Sequence, residues 1–321
     1  MSLNSQNFAT LSCDLDNLWS YLKIHGDPKW QDYPSYLNTF VPKFLDLLEN
    51  KNLRITFFIV GQDASHKKNQ EVIQAIADHG HEIGNHTYYH EPWLAFERKG
   101  ALKEELIRSS EILYQVTSKM PKGFRGPGFT WSPKLLSMLK ELRYHYSSTL
   151  LPTFYGPFLR LYCYSLRNLS PKQKERRKKL FGSFRNGFRP QTPFWWEKFG
   201  KKLVMEIPVS TIPLCRFPFH MSYLISLYAL NPKLMRMYLT FALSLCKCRD
   251  LFPNFLIHPT DLLGGDVVPE MRFFPGMRLA TEEKTAVLEE VIETLQKAFP
   301  IKALEDRYQV HQHEMLKRVQ I

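Results

Sequence analysis

The spacing of apolar positions in the first third of the chain predicts alternating strands and helices. Short apolar runs at residues 8–13 and 54–60 predict buried strands, the second rich in β-branched and aromatic residues. Apolar positions recur with helical spacing over 36–48 and 69–79, and residues 81–84 lead into a third strand. The order strand, helix, strand, helix, strand predicts parallel strands joined by right-handed crossovers.

The same patterns continue to the end of the chain, except between Leu150 and Lys202. Ser132 before Pro133 is typical of a helix start. Further predicted elements are helices at 101–117, 132–142 and 282–299 and strands at 202–207 and 254–257. We therefore predict one domain over residues 1–321, with an insertion at about 150–202.

Composition and charge exclude disorder and point to one basic segment. The 321 residues are 44% apolar and 14% aromatic, which is enough to bury a core. The formal charge is +12, from 43 Lys and Arg against 31 Asp and Glu. Residues 160–202 contain 13 basic and 2 acidic residues, so they carry +11 of this charge. The basic segment lies inside the predicted insertion, and the remainder of the chain is nearly neutral.

Targeting signals are not visible in the sequence. Residues 1–10 have neither the basic region nor the apolar region of a secretory signal, so we expect a cytosolic protein. Peripheral attachment to the inner face of the membrane is a further option. We expect the five cysteines to be reduced, because their only close pair, Cys246 and Cys248, lacks the C-x-x-C spacing. Apolar runs at 219–230 and 237–246 are too short to span a membrane, although they could lie on one.

Two groups of residues have side chains suited to a metal. Asp14 and Asp16 follow the first predicted strand, and His86 and His90 are four residues apart. If residues 86–90 form a helical turn, the two rings share a face about 6 Å apart. Two histidines and one carboxylate are the ligands of hydrolytic zinc sites and of some nonheme iron sites. An H-x-x-x-H pair alone is more often a pair of surface or capping histidines.

Five ordered motifs resemble the polysaccharide deacetylases of carbohydrate esterase family four. In sequence order, they are Asp14-Leu-Asp16, Glu82-Ile-Gly-Asn-His-Thr-Tyr-Tyr-His90, Phe124-Arg-Gly-Pro-Gly128, Met205-Glu-Ile-Pro208 and Ile257-His-Pro259. The resemblance runs from about residue 11 to 306. The first motif extends to Asp14-Leu-Asp-Asn-Leu-Trp-Ser-Tyr21, which is similar to a cytosolic branch with a D-x-D-N motif.

The resemblance implies an α/β fold, a distorted parallel (β/α) barrel of seven or eight strands with its site at the carboxyl ends of the strands. It implies one divalent metal, expected to be Zn²⁺ with Co²⁺, Ni²⁺ or Mn²⁺ as alternatives. The implied metal ligands are Asp16, His86 and His90.

The remaining implied roles describe hydrolysis of an N-acetyl group on an amino sugar. A metal lowers the pKa of bound water to about 7. Asp14 would take the proton of the attacking water, and His258 would protonate the departing nitrogen. Arg125 would hold Asp14 ionised, and a backbone N–H near Pro127 and Gly128 would stabilise the oxyanion.

Several positions depart from the family pattern or stay open. Glu206 is either a substrate contact or a strand-end residue. Ser147 stands where the family often has a carboxylate, and Gly128 where it often has an aromatic residue. The group that orients Arg125 or His258 is therefore unassigned, with Asp261 as a candidate.

Three alternatives remain for the function and the partners. The segment Leu150–Lys202 is either a solvated cover or a contact with an anionic membrane. A non-catalytic module that binds anionic lipid or nucleic acid would need this segment but not the catalytic residues. This alternative is disfavoured because all the motif residues are present, and nucleic acid is a weak candidate for a partner. An amidase similar to allantoinase is the second enzymatic alternative. The sequence makes no prediction of the oligomeric state.

Overall fold

Ten short strands form one mostly parallel sheet. The structure, a computed structural model, describes residues 7–156 and 182–321. The strands are β1 (Ala9–Leu15), β2 (Thr56–Ile59), β3 (Glu82–Asn85), β4 (Gly123–Phe124), β5 (Tyr146–Ser147), β6 (Phe194–Lys198), β7 (Lys201–Glu206), β8 (Asn254–Ile257), β9 (Ile301–Lys302) and β10 (Arg318–Gln320). Their order is β10-β6-β7-β5-β4-β3-β2-β1-β8, with β9 beside β1. Every pairing is parallel except that of β6 with β7.

The two ends of the parallel core approach each other without a regular strand pairing. The N–H of Ser210, which follows β7, donates to the carbonyl oxygen of Asn254 at the start of β8 (3.1 Å). The side-chain amide of Asn254 donates to the carbonyl oxygens of Ile207 and Pro208, each at 3.2 Å. These irregular bonds bridge β7 and β8, so the predicted α/β fold with a distorted parallel barrel is confirmed.

Helices cover the sheet, some of them where the apolar spacing predicted them and others where it did not. They are α1 (Leu18–His25), α2 (Leu37–Asn50), α3 (Gly61–Ser65), α4 (Lys67–Asp78), α5 (Lys99–Thr117), α6 (Pro133–Glu141), α7 (Met221–Leu230), α8 (Pro232–Cys248), α9 (Thr281–Ala298) and α10 (Leu304–His311). The bounds of α2, α4, α5, α6 and α9 agree with the predicted ranges within two residues. The hydroxyl of Ser132 accepts from the N–H of Leu135 (3.2 Å), which is the predicted helix cap.

Helices α7 and α8 were not predicted as helices. They contain the apolar runs at 219–230 and 237–246, and α8 has apolar residues on both its buried and its exposed faces. An amphipathic pattern is weak in α7. Within residues 7–156 and 182–321, no helix has both the length and the apolarity needed to cross a bilayer.

The predicted insertion at 150–202 is partly in the sheet. Strand β6 lies inside that range and forms a hairpin with β7. The basic cluster at 172–179 and the aromatic residues from 158 to 164 lie outside the described residues.

The parallel arrangement brings distant sequence motifs to one edge of the sheet. Asp16 follows β1, His86 follows β3, Arg125 follows β4 and His258 follows β8. Because these strands run in the same direction, all four side chains are placed at the carboxyl edge.

Candidate functional site

Strand β1 orients the two carboxylates of the first motif. Side chains alternate along a strand, so Ser12 and Asp14 share one face, and Cys13 packs in the hydrophobic core on the other. Asp16, one residue beyond β1, is on the same face as Asp14. Asp14 is 4% exposed and Asp16 is 8% exposed. Burial also raises the pKa of Cys13, in keeping with a core thiol rather than a nucleophile.

The histidine pair lies on a loop, so the conditional prediction of a helical turn over 86–90 is wrong. Thr87 and His90 have φ angles of 66° and 52°, in the left-handed region. The loop is held by the side chain of Asn85, which accepts from the N–H of Thr87 (2.8 Å), and by the carboxylate of Glu105, which accepts from the N–H of Tyr88 (2.8 Å). The ring centroids of the two histidines are 5.0 Å apart.

Asp16, His86 and His90 form a compact buried cluster. Their potential ligand atoms all lie within 4.8 Å of one another. Oδ1 of Asp16 lies 2.9 Å from Nε2 of His90 and 3.3 Å from Nε2 of His86. Burial disfavours the charge on Asp16, yet His90 and His86 hold the pKa of this carboxyl well below its usual range. The cluster therefore offers one carboxylate and two imidazoles at a single point.

The hydrogen bonds around this cluster fit one divalent metal. Nδ1 of His86 lies 2.7 Å from the carbonyl oxygen of Arg125. A carbonyl only accepts, so Nδ1 carries a proton, and Nε2 is the ring nitrogen that faces Asp16 and could bind a metal. Oδ1 of Asp16 is buried and has no hydrogen-bond partner in the described part of the chain. Lone pairs that converge in this way are typical of a metal ligand set.

Arg125 is fully buried and holds Asp14 in place. Its Nη1 donates to Oδ1 of Asp14 (2.7 Å) and to the hydroxyl of Ser12 (2.9 Å). Its Nε and Nη2 donate to the carbonyl oxygen (2.8 Å) and the hydroxyl (2.7 Å) of Ser148. The contact with Asp14 is the one that the resemblance implies. Two serines orient the guanidinium, and Ser147, the position highlighted by the sequence, instead donates to Thr149 (3.0 Å).

His258 approaches Asp14 from the other side. Its Nε2 is 4.0 Å from Oδ2 of Asp14. Oδ2 of Asp261 lies 3.7 Å from Nδ1 of His258 and accepts from the backbone N–H of the same residue (2.8 Å). Burial opposes the charged ring, but Asp261 together with Asp14 and Asp16 raises the pKa of His258 to about 9. Asp261 is thus adjacent to the predicted acid.

The predicted oxyanion segment is a tight turn after β4. Pro127 is buried, and Gly128 and Phe129 both have left-handed backbone, with φ angles of 64° and 56°. Glycine adopts such angles without a steric penalty, whereas Phe129 must be held there by its surroundings. The role of Pro127 and Gly128 with an oxyanion stays a prediction.

Glu206 is not placed to contact a substrate. Its carboxylate is fully buried and accepts from the N–H groups of Thr149 (2.8 Å) and Leu150 (2.7 Å) and from Nε1 of Trp196 (2.8 Å). Burial raises the pKa of this carboxyl. Of the two roles that the sequence left open, the geometry supports the strand-end role.

The sequence analysis missed His220 at this site. The ring is buried, its centroid is 5.9 Å from that of His258 and 6.3 Å from that of Phe129, and its Nδ1 has no hydrogen-bond partner among the described residues. Burial lowers the pKa of His220 to about 3, so the ring is neutral beside the charged His258. No local motif marks it, because it lies 38 residues before its neighbour in a loop.

Comparison with known proteins supports the family that the motifs predicted. Residues 29–147 match the family described as "Polysaccharide deacetylase". The chain is 40% identical over 88 residues to a peptidoglycan-N-acetylglucosamine deacetylase of Bacillus cereus, covering 27% of this chain and 31% of that protein. It is 33% identical over 110 residues to a peptidoglycan-N-acetylmuramic acid deacetylase of Bacillus subtilis, covering 34% and 41% of the two proteins. The chain thus spans about a third of the length of these relatives.

One solved structure shares the fold over the whole chain. It is described as "putative polysaccharide deacetylase from Mycobacterium smegmatis" and covers 100% of this chain and 96% of its own, with a TM-score of 0.59 and 18% identity. The architecture described above is therefore that of a known fold.

Proposed function

We propose that this chain is a metal-dependent hydrolase of the polysaccharide deacetylase family that removes an N-acetyl group from an amino sugar. The observation that carries the proposal is the position of Asp14 between Arg125 and His258, beside the Asp16–His86–His90 cluster. Such a constellation would supply a base, an acid and a metal site around one point. The names of the curated relatives indicate acetylated amino sugars as the substrate class.

Asp16, His86 and His90 would hold the metal. A bound divalent metal polarises a carbonyl oxygen and lowers the pKa of water. We propose Zn²⁺, because two imidazoles and one carboxylate are a common zinc ligand set in hydrolases. Co²⁺, Ni²⁺ and Mn²⁺ accept the same donors.

Asp14 is the proposed general base. Its Oδ1 is fixed by Arg125, while Oδ2 has no such bond and lies towards His258. Because the guanidinium binds Oδ1, Oδ2 is the oxygen that can accept the proton of water as the water attacks the amide carbon. The hydroxyls of Ser12 and Ser148 accept hydrogen bonds from Arg125 and hold it beside Asp14.

His258 is the proposed general acid. The amide nitrogen must gain a proton before the C–N bond breaks, because an amide anion is a poor leaving group. With a pKa of about 9, His258 is protonated at neutral pH and can supply that proton. The turn at Pro127 and Gly128 would donate a backbone N–H to the oxyanion.

Location and carrier are the finer parts of the proposal. We propose a cytosolic enzyme acting on a nucleotide-linked, lipid-linked or glycan-borne amino sugar, with Leu150–Lys202 against an anionic membrane. The clustered positive charge of that segment supports this location.

The test is acetate release from metal-loaded protein. The panel contains N-acetylated nucleotide sugars, polyprenyl-linked N-acetyl sugars and glycan oligomers, with allantoin as the substrate of the alternative amidase. We expect acetate from at least one acetylated sugar and none from the Asp14→Asn variant, whose metal content is checked by mass spectrometry. Turnover of allantoin alone, or no turnover by a protein of full metal content, would contradict the proposal.

A further inference from the structure

Exposed apolar side chains are concentrated in one part of the molecule. Single exposed apolar residues are normal, but a group of them marks an interaction surface. Among the described residues, sixteen large apolar side chains are exposed. Eight of them form what we call the apolar face: Phe184, Phe188, Leu214, Phe217, Leu230, Leu234, Met237 and Phe241.

Helix α8 contributes an outward stripe to the apolar face. Leu234, Met237 and Phe241 recur at the spacing of one helix face, and Met237 is 69% exposed and Phe241 is 55% exposed. Met235 and Leu239 are buried on the other side of the helix. The stripe from Leu234 to Phe241 is about 10 Å long, along the first half of the 17-residue helix.

A cleft joins the end of α8 to the rest of the apolar face. The cleft has a volume of about 760 Å³, and its walls include Phe188 and Leu214 on one side and Cys248 and Arg249 on the other. Phe154 also lines the cleft and contacts the rings of Phe184 and Phe188, with centroids 4.9 and 5.0 Å away. The aromatic residues and α8 therefore form one continuous surface.

A strained turn holds Leu214 outward. Leu214 and Arg216 have φ angles of 72° and 60°, which are unfavourable for residues other than glycine. The turn is closed by two backbone bonds, from Ile212 to Phe217 (2.7 Å) and from Arg216 to Ile212 (2.9 Å). The result is a leucine that is 67% exposed at the tip of a rigid loop. Rigid presentation of an apolar side chain to solvent is typical of a binding surface rather than of a loose loop.

The charge around the apolar face has one sign. Residues 182–196 and 207–249 contain seven Lys and Arg and no Asp or Glu. Arg216 is half-buried in the cleft, and its hydrogen bond is to the carbonyl oxygen of Arg189 (3.2 Å). Burial lowers the pKa of Arg216, and no carboxylate pairs with it in the described part of the chain. Asp250 is the single acidic residue that lines the cleft. Of the cations on α8, Arg236 is paired with Glu290 (2.6 Å), so the face combines apolar side chains with a positive charge that is only partly neutralised, Arg216 being the cation without a carboxylate partner in the described part of the chain.

We propose that the apolar face docks on an anionic phospholipid membrane. The apolar side chains would enter the boundary between headgroups and acyl chains, while Arg216 and Arg249 would face lipid phosphates. The face is also connected to the catalytic edge, because Ser222 of α7 contacts Nδ1 of His258 (3.2 Å). An acetylated amino sugar carried on a membrane lipid is then the substrate class, an extension that rests on the proposed function.

The test is cosedimentation with vesicles of phosphatidylcholine, with and without phosphatidylglycerol. Met237→Ser with Phe241→Ser removes apolar area, and Arg216→Gln with Arg249→Gln removes charge. Tyr114→Ser with Met120→Ser, which changes one exposed residue of α5 and one just after that helix, is the matched control. We expect the parent and the control to bind anionic vesicles, and the first pair to lose about tenfold or more in affinity. The arginine pair should lose the preference for anionic vesicles, and circular dichroism should show every variant folded.

Other outcomes would overturn the docking proposal. They are equal binding of the parent to neutral and anionic vesicles, binding to neither, or unchanged binding of the Met237→Ser and Phe241→Ser pair. A parent dimer that this pair dissociates, without vesicle binding, would show that a second copy covers the face.

Activity separates the two proposals. The apolar pair should raise KM for a vesicle-borne substrate and leave turnover of a soluble acetylated sugar unchanged. Vesicle binding without any deacetylation would contradict the proposed function alone.

Discussion

Strands β1 and β7 each carry a buried carboxylate at the carboxyl end, but the two carboxylates have different hydrogen-bond partners. Asp14 and Glu206 are both carboxylates at strand ends, and both are buried. Asp14 is bound by a guanidinium on one oxygen, and its other oxygen lies 4.0 Å from His258. Glu206 accepts from three neutral N–H groups, two at Oε1 and one at Oε2.

This difference shows that the partners of a buried carboxylate decide its role. A cationic partner binds one oxygen of Asp14 and leaves the other available to accept a proton. Neutral donors turn Glu206 into a structural anchor for residues 149 and 150. Next to that anchor, Ser148 holds Arg125, so Glu206 supports the base indirectly. Asp14, at the end of β1, is therefore the proposed reacting group, whereas Glu206, at the end of β7, positions neighbouring residues.

Asp63 is a third buried carboxylate and resembles Glu206 more than Asp14. Its Oδ1 accepts from Asn17 (2.7 Å) and from Nε1 of Trp19 (2.9 Å), whereas Oδ2 has no hydrogen-bond partner among the described residues. Burial raises the pKa of Asp63 to about 7. It anchors the Asn and Trp of the first motif beside Asp16.

The largest effect is expected for Asp14→Asn. The amide cannot accept the proton from water, so kcat should fall by about 10³-fold or more. Arg125 would also be left as a buried cation without a counterion, at a cost of about 3 kcal/mol in unfolding free energy. Acetate assays and urea unfolding measure the two effects. A kcat within tenfold of the parent would mean that Asp14 does not differ from Glu206 in role.

His258→Gln should lower kcat by about 10² to 10³-fold. The parent's rate should fall as the pH rises past about 9, because the acid then loses its proton. The variant should lack this alkaline decline. A pH profile of kcat with the decline intact would show that another group is the acid.

Asp63→Asn should change the pH dependence of stability. In the parent the unfolded carboxyl ionises near pH 4 and the folded one near 7, so stability is lost as the pH rises between these values. Asn cannot ionise, and it keeps the oxygen that Asn17 and Trp19 contact. The unfolding free energy of the variant minus that of the parent should rise by up to about 4 kcal/mol from pH 4 to 8. Denaturant titrations at several pH values give the unfolding free energy of each protein. If the two free energies change with pH in the same way, the raised pKa of Asp63 is contradicted.

Glu206→Gln should have the smallest effect of the four substitutions, and that effect should be a loss of stability rather than of activity. One oxygen can still accept from Thr149 and Leu150, but the new NH₂ group faces Nε1 of Trp196, another donor. The expected loss is about 1 to 3 kcal/mol in unfolding free energy. We expect kcat to change only a few-fold, since Ser148 shifts little. A loss of kcat as large as that of Asp14→Asn would contradict the structural role assigned to Glu206.

Local patterns were sufficient for the elements nearest the site. Continuous apolar runs located β1 and β2, which are buried along their whole length, and helical apolar spacing located α2, α4, α5 and α9, each of which buries one face. Motif order likewise indicated Asp14, Asp16, His86, His90, Arg125 and His258 before any contact was known.

The tertiary structure decided what the residue types could not. The left-handed loop from Asn85 to His90, the serines that hold Arg125 and the neutral donors around Glu206 come from segments far apart in sequence. The exposed apolar stripe of α8 likewise became visible only once its buried face was known. The sequence alone determined which chemical groups are present and which strands they follow. Whether a carboxylate acts as a base or as an anchor depends on partners that only folding brings within hydrogen-bond distance.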